Sequence, residues 1–271
     1  MAENDQAERT PRQVAEEESG GRMSFFEHLV ELRKRLINSL LSVGAGMIVG
    51  LAISKRVINF ITKPMQHALA ANHLDASLYY NNPAGYISLY INLGLYLGIA
   101  IAMPYVLYQV WMFVAPGLYK HERRAAAGFV VSSMLLFLSG IAFGYFILLP
   151  QMLTFLVGFA NDGPVKPLIS INEYFDLILI VLIGLGVIFE LPTLIFILSV
   201  FGIVTPKFLL KNFRYAIFLI TVVAAIVTPT PDAQTMLIFM APMILLYFVG
   251  VFVSYMVLRN KRAKAAAQAG A

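Results

Sequence analysis

A carboxylate inside a basic loop is the first feature of this sequence that could do chemistry. Glu122 lies among Lys120, Arg123 and Arg124, after a Pro-Gly turn, in the segment FVAPGLYKHERR (113–124) between two long apolar stretches. Lys and Arg alone would anchor such a loop at a membrane surface. A carboxylate fixed at that depth can instead receive a cation. The pattern therefore favours recognition of a cationic partner over simple anchoring.

A second carboxylate lies near the N-terminus, in the segment SFFEHLVELRKRL (24–36). Apolar residues recur there at helical spacing and charged residues fill the other positions, which predicts an amphipathic helix at the membrane interface. Glu31 stands four residues after Glu27 and four before Arg35. The second of these spacings allows an ion pair within the helix, between Glu31 and Arg35. On the charge pattern alone, a solvated interfacial helix is the favoured interpretation.

The third carboxylate is Glu190, the only ionisable residue between Asp176 and Lys207. An ionised carboxylate near the centre of a membrane helix costs about 2.5–3.5 kcal/mol on insertion scales, so it should face protein or water. Pro192 can kink the same helix. Three interpretations stay open: a hydrogen bond to a neighbouring helix, a proton carrier, or a polar groove used by a substrate. A relay normally needs several titratable groups, so the proton carrier is the least favoured.

The composition is that of an integral membrane protein without catalytic motifs. The chain is 59% hydrophobic and 13% charged, with a mean hydropathy of +0.76. It has no cysteine, its four histidines lack ligand spacing, and no nucleotide-binding or nucleophile motif occurs. We therefore expect no cofactor, no metal and no enzymatic activity. The net charge of +5 gives no reason to propose nucleic-acid binding.

The long uncharged stretches predict an all-α integral membrane protein, because a spanning helix needs about 20 apolar residues. One membrane domain is expected at 23–258, with a disordered cytoplasmic tail at 1–22 and a second tail at 259–271. The six predicted spans are 36–54, 85–114, 126–149, 173–201, 213–227 and 234–258.

Basic residues are distributed unevenly between the two sides of these spans. The N-terminal segment, the loops near 115–125 and 202–214, and the C-terminal tail hold 16 of the 20 Lys and Arg residues. Cytoplasmic segments of membrane proteins carry such an excess. Both termini are therefore predicted to be cytoplasmic, which places Glu31 and Glu122 on the same side of the membrane.

The connections and small residues add structural predictions. The loop 55–84 is the longest connection, with Pro64 as a predicted breaker, and the prolines in 228–232 predict a tight hairpin between the last two spans. The fifth span, at about 22 Å, is shorter than a hydrocarbon core of about 30 Å, so the bilayer must thin or neighbouring helices must cover the deficit. Close helix packing is predicted at the pairs Gly46–Gly50, Gly94–Gly98 and Gly140–Gly144.

Four segments together resemble the TatC family, the multispanning component of the twin-arginine protein translocase. The resemblance covers about residues 23–258. It implies a receptor that binds the twin-arginine signal peptides of folded precursor proteins at the cytoplasmic face and organises their transport. The segments that carry it are HLVELRKRL (28–36), YQVWMFVAPGLYKHERR (108–124), GVIFELP (186–192) and TPTPD (228–232).

The resemblance also implies roles for individual residues. Glu122 and Glu31 match the family's two recognition acids, and Glu190 matches its intramembrane acid. Asp232 matches an acid in the third outer loop, and Tyr145 is a weaker correspondence. Further positions linked to function correspond to Arg33, Phe113, Leu118 and Pro64.

The resemblance implies partners and a location as well. It implies single-span Tat components of the TatA and TatB type, a multi-copy complex, and a bacterial-type cytoplasmic (inner) membrane. The alternative weighed beside it is a secondary transporter for a small solute, which would need a midplane site and internal repeats. The two halves of the chain show no convincing repeat, and only Glu190 could coordinate a charged solute.

Overall fold

The described part of the chain consists of helices joined by short connections, with one isolated β-bridge between Tyr79 and Ser170. Five helical stretches are long and apolar enough to cross a membrane, and the shorter apolar helix Phe213–Val227 makes a sixth. The predicted all-α membrane fold with six spans is therefore confirmed. The predicted tail 1–22 lies outside the described residues. The computed structural model describes residues 25–114, 123–161, 168–228 and 232–269.

Nine α-helices are numbered here along the described ranges, and a π-helical turn, Gly144–Leu148, joins α3 to α4. The helices are α1 (Phe25–Ala71), α2 (Gly85–Val114), α3 (Arg123–Phe143), α4 (Leu149–Asn161), α5 (Ile171–Ile188), α6 (Leu191–Val200), α7 (Pro206–Lys211), α8 (Phe213–Val227) and α9 (Ala233–Ala269).

Helix α1 joins three predicted segments into one. The amphipathic stretch from Phe25 on, the predicted span 36–54 and the first part of the predicted loop 55–84 form a continuous helix of 47 residues. At about 1.5 Å per residue it is roughly 70 Å long, so its ends extend beyond the apolar layer. The prediction that Pro64 breaks the chain within a loop is wrong, since this proline lies inside the helix. The basic residues after position 54 end a hydrophobic stretch without ending a helix.

Helices α1 and α2 pack antiparallel through two glycine pairs. A methyl group on Gly46 would overlap the carbonyl oxygen of Gly98, and one on Gly50 would overlap that of Gly94. The Tyr90 hydroxyl donates to the Leu51 carbonyl at 2.6 Å in the same contact. The close packing predicted for these glycines is confirmed. This register places the start of α1 beside the end of α2.

The third and fourth spans pack against each other in the centre of the molecule. A methyl group on Gly140 would lie 2.7 Å from the Leu185 carbonyl oxygen, and one on Gly186 would lie 2.6 Å from the Phe137 ring. The third span runs beyond its predicted end at 149 to Asn161. The fourth is divided into α5 and α6.

The last two spans, α8 and α9, pack against each other. Helix α8 coincides with the predicted span 213–227, and α9 packs on both α6 and α8. The Tyr247 hydroxyl of α9 donates to the Leu209 carbonyl of α7 at 2.9 Å. The predicted tail 259–271 is helical as far as Ala269, because its Ala, Lys, Arg and Gln residues favour helix.

Candidate functional site

The antiparallel pairing of α1 and α2 brings predicted site residues to one end of the molecule. The rings of His28 on α1 and Phe113 on α2 stack with their centroids 4.3 Å apart. Glu31 lies one helical turn after His28 on α1. The structure thus places Glu31 and Phe113, which are far apart in the sequence, in the same region.

The Glu31 carboxylate is part of a network that links the two helices. Arg35 Nη2 donates to Glu31 Oε1 at 3.1 Å, and Arg35 Nη1 donates to Gln109 Oε1 at 3.0 Å. The side chains of Glu31 and Arg35 are only 15% and 21% exposed, and Gln109 is buried. The internal ion pair predicted for the amphipathic segment is therefore confirmed, but it is partly buried and bound to α2 rather than freely solvated.

The other residues predicted for this site differ in what can be said of them. Arg33, on α1, is exposed to the surroundings. Glu122 and Leu118 lie outside the described residues, so the convergence of Glu122 with Glu31 stays a prediction.

Glu190 lies at the break between α5 and α6, where its backbone N–H still donates to the Val187 carbonyl. The Ser133 hydroxyl of α3 donates to Glu190 Oε2 at 2.5 Å. Glu190 Oε1 is buried and has no hydrogen-bond partner among the described residues. A contact to a neighbouring helix, one of the three interpretations of Glu190, is thus present.

Pro64 and Tyr145, which are far apart in the sequence, are connected in the structure through the Phe60 carbonyl. Proline lacks an N–H, so the carbonyl four residues earlier, that of Phe60, loses its helical donor. The Tyr145 hydroxyl donates to this carbonyl at 2.7 Å, and its ring stacks on the Phe60 ring at 4.3 Å. The next carbonyl, that of Ile61, accepts from the Tyr174 hydroxyl at 2.5 Å. Two buried tyrosines thus bind the backbone of α1 at its proline.

Asp232 caps the start of α9. Its Oδ1 accepts from the Thr235 backbone N–H at 2.6 Å, the geometry of an N-terminal cap. This contact holds the Asp232 side chain against the first turn of the final helix. Asp232 therefore has a structural role as the N-terminal cap of α9.

Sequence reasoning did not single out Gln109 or Tyr174. Both are polar groups inside a predicted span, and such groups rarely stay without a hydrogen-bond partner. This rule indicates that Gln109 and Tyr174 each have a hydrogen-bond partner. It could not name the partners, because each lies on a helix distant in the sequence.

Comparisons with known proteins agree with these features. A family model described as Sec-independent protein translocase protein (TatC) matches residues 27–242. The chain belongs to the TatC family. A TatC protein of Koribacter versatilis (strain Ellin345) is 45% identical over 247 residues, which cover 91% of this chain and 90% of that protein.

Two further TatC family members show how far the similarity extends. The TatCy protein of Bacillus subtilis (strain 168) is 35% identical over 248 residues, covering 90% of this chain and 94% of that protein. A crystal structure of the twin arginine translocase receptor TatC superposes with a TM-score of 0.75 at 32% identity. It covers 85% of this chain and 99% of that chain.

Membership of the TatC family fixes the class of function. The chain is a multi-pass membrane protein and a core component of the twin-arginine translocation system, a transport protein that works with the other components of that system. The TatC assignment replaces the small-solute transporter that the sequence left as an alternative.

Proposed function

We propose that this TatC protein is the receptor for twin-arginine signal peptides of folded precursors, and that the site is the end of α1 and α2 described above. Glu31 and Glu122 accept the two signal arginines. Phe113 and Leu118 contact the apolar part of the signal, and Arg33 borders the site. The similar crystal structure, at 32% identity, is named as a twin arginine translocase receptor.

The observation that carries this proposal is the state of the Glu31 carboxylate. It is mostly buried beside α2, and its Oε2 atom accepts no hydrogen bond among the described residues. A buried acceptor without a donor has unused capacity for a strong hydrogen bond. The guanidinium group suits it because its planar fork binds carboxylates with two parallel bonds, which an ammonium cannot do.

The proposed energetics are sufficient for recognition without chemistry. Hydrogen bonds to charged groups contribute about 1.5–3 kcal/mol each. Two such acids would contribute about 3–6 kcal/mol before screening, or a factor of roughly 100 to 10,000 in affinity. This range separates a signal with two arginines from one without them, so no enzymatic step is needed.

The distribution of basic residues supports the orientation. We place both termini and the receptor end on the cytoplasmic side of a bacterial-type inner membrane, because 16 of the 20 Lys and Arg residues lie on that side. The proposed partners are single-span components of the TatA and TatB type, in a complex with several copies of this chain. Glu190 and Asp232 match further functional positions of the family, and we propose that they contribute to transport.

Photocrosslinking tests this assignment. A photoreactive phenylalanine analogue at Phe26, an exposed ring near the start of α1, should crosslink to a twin-arginine signal peptide. Glu31→Gln and Glu122→Gln should each lower crosslinking roughly tenfold or more, since each removes a charged acceptor.

The matched control is Glu173→Gln, because Glu173 is an exposed carboxylate at the start of α5, far from the receptor end. It should leave crosslinking unchanged. A peptide with two lysines in place of the arginines should crosslink weakly to every variant. Unchanged crosslinking in both Glu31→Gln and Glu122→Gln would overturn the residue assignment.

A further inference from the structure

We infer that Arg35 is an internal placeholder for the signal peptide, occupying the Glu31 carboxylate in the empty receptor and leaving it when a signal arginine binds. This inference rests on the proposed function, since it concerns the same carboxylate. Arg35 presents to Glu31 the same guanidinium group that a twin-arginine signal would present.

The contact between Arg35 and Glu31 is incomplete. A guanidinium and a carboxylate can form two parallel hydrogen bonds, but here only Arg35 Nη2 and Glu31 Oε1 are joined. Glu31 Oε2 and Arg35 Nε are both buried, and neither has a hydrogen-bond partner among the described residues. Buried polar atoms are nearly always paired, so two orphans within one ion pair require an explanation. A pair that must open to admit a ligand provides one.

Gln109 is the acceptor that Arg35 keeps when it leaves Glu31. Its amide oxygen, buried on α2, accepts from Arg35 Nη1 at 3.0 Å, so the guanidinium is already divided between two acceptors. When Arg35 leaves Glu31, it keeps this neutral acceptor and exposes the carboxylate. The incoming guanidinium then takes over the charge pairing.

Exchange of one guanidinium for another has a physical advantage. Without Arg35, the empty site would hold an uncompensated carboxylate that is only 15% exposed. Leaving such a charge unpaired is costly. With Arg35 present, the Glu31 carboxylate is paired with a guanidinium both before and after the signal peptide binds. The signal peptide binds less tightly than to a bare carboxylate, which allows it to be released to later steps of transport.

Binding of a fluorescent twin-arginine peptide to the full chain in nanodiscs tests this inference. Arg35→Gln removes the competing guanidinium and should tighten binding by about threefold to tenfold, the range expected for losing a partly buried ion pair. Lys34→Gln removes one exposed positive charge from the same helical turn and should change Kd by less than about twofold. In a Glu31→Gln background, Arg35→Gln should give no gain.

The outcomes separate this inference from the proposed function. If Arg35→Gln weakens binding while Glu31→Gln also weakens it, Arg35 only positions Glu31 and the placeholder is overturned. An equal gain from Lys34→Gln would overturn it too, because the effect would then be general charge. If Glu31→Gln leaves binding unchanged, the receptor assignment itself fails. Should Arg35→Gln not yield monodisperse protein, Arg35→Lys replaces it, with a gain of about twofold expected and a loss overturning the inference.

Discussion

Glu190 shows how a single ionisable residue is accommodated in an apolar bundle. Its carboxyl group accepts from the Ser133 hydroxyl of another span, which compensates part of the cost of burying it. Glu190 lies at the break between α5 and α6, two residues before Pro192. The sequence predicted that Glu190 faces protein or water and that Pro192 can kink its helix, because both follow from residue type. The identity of Ser133 as its partner could not be predicted, since it depends on how α3 packs against α5.

Substitution of Glu190 distinguishes hydrogen bonding from charge. Glu190→Gln keeps a carbonyl that can accept from Ser133, so it should retain most export of a twin-arginine reporter protein. Glu190→Leu leaves the Ser133 hydroxyl buried without its acceptor and should abolish most export, with a stability loss of about 1–3 kcal/mol. Export and thermal unfolding are measured on the same variants. If Glu190→Gln fails as completely as Glu190→Leu while signal binding is intact, the charge itself is required.

At the scale of helices, the proline of α1 is compensated from outside its own helix. The Tyr145 hydroxyl occupies the Phe60 carbonyl that Pro64 leaves free, and Tyr174 binds the following carbonyl. This explains why a proline that looks like a loop breaker in the sequence lies within a continuous helix. The contact joins α1 to the third and fourth spans, so the proline and its tyrosines act as one structural unit.

A double-mutant cycle tests that unit. Tyr145→Phe should destabilise the protein by about 1–2 kcal/mol, because the Phe60 carbonyl is left without a donor. In a Pro64→Ala background the restored backbone N–H can serve that carbonyl, so the same substitution should cost clearly less. Unfolding in detergent is the measurement. Tyr105→Phe, at an exposed tyrosine of α2, is the control and should cost less than about 0.5 kcal/mol. Equal costs of Tyr145→Phe in both backgrounds would contradict the account.

At the scale of the molecule, the sequence predicted what depends on local composition. Helix α8 was located at 213–227 because basic residues precede it and prolines follow it. The sequence did not predict the helix ends of α1, α4 and α9, because hydrophobicity indicates only the part of a helix that lies in the membrane. A helix continues into polar surroundings when its residues have a high helix propensity. The glycine pairs indicated close packing but not which helices pair. The approach of Glu31 to Phe113 follows from that pairing, so only the fold could establish it.

The central claim is that Glu31 recognises a guanidinium of the signal peptide. The most direct test is a double-mutant cycle between receptor and ligand, measuring Kd for peptides with two arginines or two lysines against the unmodified chain and Glu31→Gln in nanodiscs. The account predicts that the preference for arginine falls in Glu31→Gln, with a coupling energy of at least about 1 kcal/mol. A coupling energy within about 0.3 kcal/mol of zero, with both proteins folded, would contradict it.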